Sequence, residues 1–299
     1  MKMLTWFVQL SRPRFWFYLF GPFIVGVAAA YNQLDFTLTN TSTIIIAGLF
    51  FLFPANLFIY GVNDLFDYET DKHNPKKKDY ETLITPESRK FFIKVVGIIV
   101  IPFVALLLYL FVQNETYVGI WAMIGFIFFG AGYSMPPIRA KTKPFIDSFF
   151  NILYVFPGLV GYAIITDSWP PVQIIIASTA WVMAMHAFSA VPDIESDKKA
   201  KINTVATTLG KNNTIIFCTM LYILAAVLTY EYLGYFALIG GFVYALMMIS
   251  AYLAKTKEDV FAIYKLFPYV SRCLSVLRRH TLLIIYHKCD IIIQLCQKI

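Results

Sequence analysis

Charged residues are scarce in this chain of 299 residues. Only 14% of the residues are Asp, Glu, Lys or Arg, 59% are hydrophobic, and the mean hydropathy is +0.65. A soluble globular domain has about a quarter of its residues charged, so the composition excludes that class. Strict alternation of apolar and polar residues is also missing, which excludes a transmembrane β-barrel.

Cysteine signatures and nucleic-acid signatures are missing as well. The four cysteines (Cys218, Cys273, Cys289 and Cys296) show no C-x-x-C spacing, so we predict free thiols rather than a metal site or a disulfide framework. The net charge is +7, but no polar segment combines basic with aromatic residues as an RNA-binding domain does. We therefore expect no nucleic-acid partner.

Long apolar runs make up most of the chain. They are long enough to cross a hydrocarbon layer of about 30 Å, so we predict an all-α polytopic membrane protein of about nine transmembrane helices. A run that starts near Phe261 would supply the ninth. The eight clearer spans are Phe15–Tyr31, Thr43–Val62, Phe91–Val112, Val118–Tyr133, Phe149–Ile165, Val172–Ala190, Ile215–Tyr230 and Tyr235–Leu253. The first run resembles a signal peptide, but the later spans need a membrane-embedded bundle, so we expect no cleavage.

Lysine and arginine are missing from every second loop between these spans. The loops without them are Asn32–Ser42, Gln113–Tyr117, Thr166–Pro171 and Glu231–Gly234. Because cytoplasmic loops carry the excess of Lys and Arg, the pattern predicts a multi-pass protein of the cytoplasmic membrane with its N-terminus in the cytoplasm. The basic balance thus reflects topology, and the lipid bilayer is the expected partner.

Two acidic clusters each end an apolar run on the predicted cytoplasmic side. Asp67 and Asp71 belong to the first cluster, and Asp193 and Asp197 belong to the second. Acids spaced i, i+4 lie on one helical face, and acids beside a membrane span usually mark a functional site. Magnesium is commonly bound by one or two carboxylates plus substrate phosphates. The two faces therefore predict one pocket for Mg2+ and a diphosphate.

Polar side chains continue from both clusters into the membrane. The stripes, which follow helical spacing, contain Asn56, Tyr60 and Asn63 on one side and His186 and Ser189 on the other. Such stripes should face the bundle interior. The clusters also repeat at a constant offset, which predicts two parallel four-helix repeats.

Several candidate site residues have a possible functional role, and two of them have a simpler structural interpretation. Arg139 and Lys141 suit a diphosphate, and the rings of Tyr60 and Tyr133 suit an allylic carbocation. His186 is more simply a packed interior histidine than a catalyst, and Asn56 is more simply a hydrogen bond between helices than a ligand.

Three ordered motifs resemble the UbiA-type superfamily of intramembrane prenyltransferases: Asn63–Asp71, Tyr133–Lys141 and Asp193–Gly210. The resemblance implies nine helices around a lipid-open chamber with a cytoplasmic cap, Mg2+ as cofactor and an isoprenyl diphosphate as donor. It implies that the metal and diphosphate are held by Asn63, Asp64, Asp67, Asp71, Asp193 and Asp197. It also places Arg139 and Lys141 at the diphosphate, and Tyr133 and Ser134 beside the donor. Asn56 and Tyr60, from the polar stripe, are further candidates for substrate binding.

A narrower resemblance, to the lycopene elongase branch, is carried by Ser11–Leu19, Pro54–Asn56, Asn74–Lys77 and His186–Glu195. It implies prenyl transfer to the ends of a carotenoid, with His186 as a candidate base. A quinone precursor or a lipid as acceptor stays open.

The tail departs from the family pattern. Residues 1–270 form the expected prenyltransferase domain, but Arg272, Arg278, Arg279 and His280 interrupt the segment where the last helix should lie. We predict that 271–299 is an altered C-terminus, as a change of reading frame would produce.

Two other classes of function remain to be weighed against an enzyme. A cation-coupled transporter also uses repeats and membrane acids, but its site lies near the bilayer midplane at broken helices. The position of the acids at cytoplasmic helix ends favours the enzyme. The third hypothesis is an inactive membrane scaffold, which the unusual C-terminal tail favours.

Overall fold

The computed structural model describes residues 7–33, 37–66, 84, 86–200, 202–267 and 269–270. These residues form helices and connecting turns, without a strand among them. The α-helices are α1 Phe17–Ala29, α2 Leu38–Leu52, α3 Pro54–Phe66, α4 Pro86–Gln113, α5 Tyr117–Ser134, α6 Ile146–Phe149, α7 Phe156–Thr166, α8 Val172–Ser189, α9 Ile194–Lys199, α10 Val205–Leu233, α11 Tyr235–Leu253 and α12 Lys257–Tyr264.

Six of the described helical segments are long and apolar enough to span a membrane. They are Thr39–Phe66, which joins α2 and α3, together with α4, α5, α8, α10 and α11. A seventh forms if Ile146–Tyr154 and Phe156–Thr166, which meet at a 40° bend, count as one span. The protein is thus a multi-pass helical membrane protein. The nine-helix count and the repeats are not confirmed, and residues 271–299 lie outside the described residues.

The observed span boundaries follow local chemistry. α8 and α11 lie where the apolar runs predicted them. The expected span Phe149–Ile165 is instead a bent pair, with Pro157 in the first turn of α7. α10 begins at Val205 rather than at Ile215, because Thr204 and Thr207 form a reciprocal capping box. Gly210, at φ +74°, then kinks the helix before its apolar part.

Close backbone contact joins α1 and α7. α1 packs along α7, and a Cβ atom at Gly26 would collide with the carbonyl of Gly158. Phe50, Phe51 and Phe126 fill the adjoining core at 0% exposure.

A second core joins α8, α10 and α11, where the Tyr222 and Tyr244 rings stack at 4.7 Å. Large apolar side chains also cover the outside of the molecule. Ile101 is 66% exposed, Trp121 65% and Phe242 63%. Apolar patches of this kind suit contact with lipid.

Candidate functional site

The end of α3 is tied to the segment that follows α5. Ser134 donates a hydrogen bond to the side-chain oxygen of Asn63 at 2.7 Å, and the Lys141 ammonium lies 3.5 Å from the same oxygen. Ser134 is 1% exposed, so water competes little for this bond. The structure therefore brings together three of the predicted site residues from two distant motifs.

The same segment reaches α8, the helix that precedes the second motif. The ring of Tyr133, at the end of α5, meets the ring of His186 on α8 edge to face at 5.9 Å. His186 lies two turns before Asp193, so this contact connects the central motif to the second acidic motif. Parts of the first and central motifs therefore lie beside α8, the helix that leads into the second acidic motif.

Asp193 and Asp197 lie one helical turn apart. Asp193 precedes α9, and the backbone N–H of Asp197 donates to the carbonyl of Asp193 at 2.8 Å. Burial, with the neighbouring charges of Asp193 and Asp147, raises the pKa of Asp197 to about 6. Carboxylates that repel one another in a partly buried place suit a divalent cation, and the paired acids thus fit Mg2+.

The sequence predicts that acids of the first motif bind the same metal as Asp193 and Asp197. Asp67 and Asp71 fall outside the described residues. Within the part of the chain that the structure describes, no three Asp, Glu, His or Cys side chains gather into a metal-binding group. The shared pocket of four acids therefore stays a prediction.

Asp64 has a basic partner. One of its carboxylate oxygens, Oδ1, accepts from the Arg12 guanidinium at 2.7 Å, and the Asp64 side chain is 2% exposed. Arg12 also lies 4.9 Å above the ring of Tyr60. Asp64 therefore fastens the segment before α1 to α3, next to Asn63.

Tyr60 is part of a wall of aromatic side chains. Its hydroxyl lies 3.4 Å from the hydroxyl of Tyr154, and its ring lies 5.6 Å from that of Phe15. Burial raises the pKa of Tyr264, on α12, to about 12, and neighbouring phenols and Asp193 add to the rise. Tyr154 and Tyr264 were missed in the sequence, where single tyrosines in apolar runs carry no spacing signal.

Asn56 forms hydrogen bonds to backbone groups close to it in sequence. Its amide nitrogen donates to the carbonyls of Phe51 and Leu52 at 2.9 and 3.0 Å. These bonds lie across the break at Phe53, which separates α2 from α3. The geometry agrees with the simpler reading of Asn56 as a hydrogen bond that joins helices.

Ser189 also bonds within its own helix. Its hydroxyl donates to the carbonyl of His186 at 2.7 Å. Arg139 is exposed and adopts a left-handed conformation, φ +44°, at the start of the turn that carries Lys141.

Asp147, on α6, is a buried acid that the sequence analysis did not single out. It is 0% exposed, and one carboxylate oxygen, Oδ2, accepts from the backbone N–H of Val205 at 2.9 Å. A signal was present, because a lone acid at the start of an apolar run is costly unless it has a role.

Comparison with known proteins gives three concordant results. The model described as UbiA prenyltransferase family matches residues 19–271. A lycopene elongase/hydratase of Haloarcula japonica is 42% identical over 75% of the chain and 74% of its own length. The one from Haloferax volcanii is 42% identical over 75% and 71%.

A solved structure of a UbiA homologue from Archaeoglobus fulgidus, bound to GPP and Mg2+, is similar in fold. It superposes with a TM-score of 0.63 over 90% of this chain and 98% of that chain, at 20% identity.

Proposed function

Because the chain belongs to the UbiA prenyltransferase family, we propose that it transfers the prenyl group of an allylic diphosphate to the ends of lycopene or a related carotenoid. The observation that carries the prenyl transfer is the meeting of Asn63, Ser134 and Lys141 beside α8, the helix that leads into the second acidic motif. The acceptor is supported by the 42% identity to two lycopene elongase/hydratases.

The chain's polar residues suit the diphosphate end of the donor. Asp193 and Asp197 would hold Mg2+ from one side, and Asn63, Asp67 and Asp71 would hold it from the other. Bound Mg2+ would offset the negative charge that develops on the departing diphosphate. Lys141 and Arg139 would donate to the diphosphate oxygens, with Lys141 already directed to Asn63.

The aromatic residues suit the prenyl end. When the C–O bond to the diphosphate breaks, an allylic cation forms, and the faces of Tyr60 and Tyr133 would stabilise it. The terminal double bond of the acceptor then attacks this cation, and the new tertiary cation loses a proton or takes up water. His186, whose ring meets the Tyr133 ring edge to face, would be the base that removes this proton.

We place this site on the cytoplasmic side of the cell membrane. The support is the sequence pattern, because the segments that carry Lys141 and Asp193 both lie in loops rich in lysine and arginine.

Pigment analysis in lycopene-producing cells tests the function. The wild-type chain should convert lycopene into products with one or two added prenyl units, detected by chromatography with mass spectrometry. Asp67→Ala and Asp193→Ala should each abolish conversion, because each removes a metal ligand. Glu195→Ala is the matched control, since Glu195 is an exposed acid on the same helix as Asp197, and it should stay near wild type.

The outcomes separate the parts of the proposal. Near-normal conversion by the Asp67 or Asp193 variant would contradict the site. If the wild type leaves lycopene unchanged but consumes labelled prenyl diphosphate with a quinone precursor or a lipid, only the carotenoid acceptor is wrong.

A further inference from the structure

Asp147 is a buried carboxylate whose side chain is bonded to another helix, α10. The residue is 0% exposed, its Oδ2 accepts from Val205, and its Oδ1 has no hydrogen-bond partner. Within the described residues Asp147 also forms no ion pair. An unpaired buried charge is strongly unfavourable, so an ordinary structural role would be served better by a neutral side chain.

The location of Asp147 connects two parts of the proposed site. Its backbone N–H donates to the carbonyl of Lys143, at the end of the turn that carries Lys141. Its carboxylate fixes the first residue of α10, Val205. Only a short link separates that residue from Asp197, whose carbonyl accepts from Ile202 at 2.9 Å.

Asp147 therefore acts on Asp197 in two ways. It holds the backbone that follows the second acidic motif, and its negative charge contributes to the raised pKa of Asp197. A third negative charge near two acids raises the affinity of that place for a divalent cation.

We infer that Asp147 is a positioning residue that fixes the Asp193–Asp197 cation site and strengthens its affinity for Mg2+ through its charge. This inference rests on the proposed function, because it assumes that the second acidic motif binds Mg2+ with a diphosphate. Asp147 itself acts through Asp197 and the start of α10.

Asp147→Asn isolates the charge, because the amide oxygen still accepts from Val205. Mn2+ binding to the purified full chain in detergent, with inorganic diphosphate present, is measured by electron paramagnetic resonance. We expect about tenfold weaker Mn2+ binding and a similar rise in the Mg2+ concentration that gives half-maximal prenyl transfer. The transfer rate at saturating Mg2+ should fall by less than about threefold.

Asp167→Asn is the matched control. Asp167 ends α7, at the other end of the same bent pair, and accepts from the backbone N–H of Val118 at 2.8 Å. It thus makes the same kind of bond to a helix start but outside the site, and its variant should bind Mn2+ as the wild type does. Asp147→Glu keeps the charge and should recover part of the affinity that Asp147→Asn loses.

Wild-type Mn2+ affinity in Asp147→Asn would overturn the inference. This holds even if the variant unfolds at a lower temperature, because Asp147 would then only stabilise the start of α10. If Asp147→Asn does not fold, Asp147→Ser takes its place, because the hydroxyl oxygen can still accept from Val205 without a charge. About tenfold weaker Mn2+ binding than in Asp167→Asn supports the inference, and the same affinity as Asp167→Asn contradicts it. Failure of the proposed function looks different. The wild type would then bind no Mn2+ with diphosphate, or would bind it and transfer no prenyl group.

Discussion

At the residue scale, neighbouring residues of the first motif contact different partners. Asn63 faces Ser134 and Lys141, whereas Asp64 faces Arg12. The sequence predicted Asn63, Ser134 and Lys141 as parts of one site, because their motifs are short and specific. It did not predict the pair between Asp64 and Arg12, because the two residues lie far apart in sequence and carry no spacing signal.

The Arg12–Asp64 pair should stabilise the fold more than it affects metal binding. Asp64→Asn removes one charge of an ion pair whose Arg12 and Asp64 side chains are only 16% and 2% exposed, so we expect a loss of about 3 kcal/mol in the free energy of unfolding. Adding Arg12→Gln to Asp64→Asn should cost less than the sum of the two single losses. Denaturant unfolding in detergent measures both effects.

Arg14→Gln is the control for that cycle, because Arg14 is an exposed arginine of the same segment whose guanidinium lies over the Phe15 ring. It should cost less than about 1 kcal/mol. A rise in the Mg2+ requirement of Asp64→Asn, without a loss of stability, would assign Asp64 to the metal instead.

At the element scale, apolar periodicity predicts where helices exist better than where they break. α8 and α11 are uninterrupted runs, and both lie as expected. The bend between α6 and α7 and the early start of α10 depend on Pro157, Thr204 and Asp147, which are single polar or proline residues within or beside apolar runs. A hydropathy pattern averages over such residues and therefore misses the boundaries that they set.

The packing of α1 on α7 should depend on a glycine. Gly26→Ala places a methyl group against the backbone of Gly158, and because backbone cannot move aside as a side chain does, we expect a loss of about 2 kcal/mol. Thermal unfolding in detergent measures it. Gly21→Ala on the same helix meets nothing within 4 Å and should leave the midpoint nearly unchanged; equal effects of the two variants would refute the close contact.

At the scale of the whole molecule, the fold gathers distant segments at one end of a helical bundle. Composition alone predicted the membrane class, and three motifs predicted the family, which the match over residues 19–271 confirms. The number of helices and the internal repeats are not confirmed, because the segment where the ninth span was expected gives only α12 and a few following residues within the described chain. The relation of Asp67 and Asp71 to the second motif is likewise untested.

The account depends on one physical claim, that the acids after α3 and those at α9 hold the same metal-bound diphosphate. Anomalous diffraction from crystals grown with Mn2+ and an unreactive thiolo analogue of a prenyl diphosphate tests it most directly. The account predicts Mn2+ peaks at Asp193 and Asp197 and at Asp67 and Asp71, with the diphosphate of the analogue between them. Mn2+ bound away from Asp193 and Asp197, or two acidic pairs too far apart to reach one diphosphate, would contradict it.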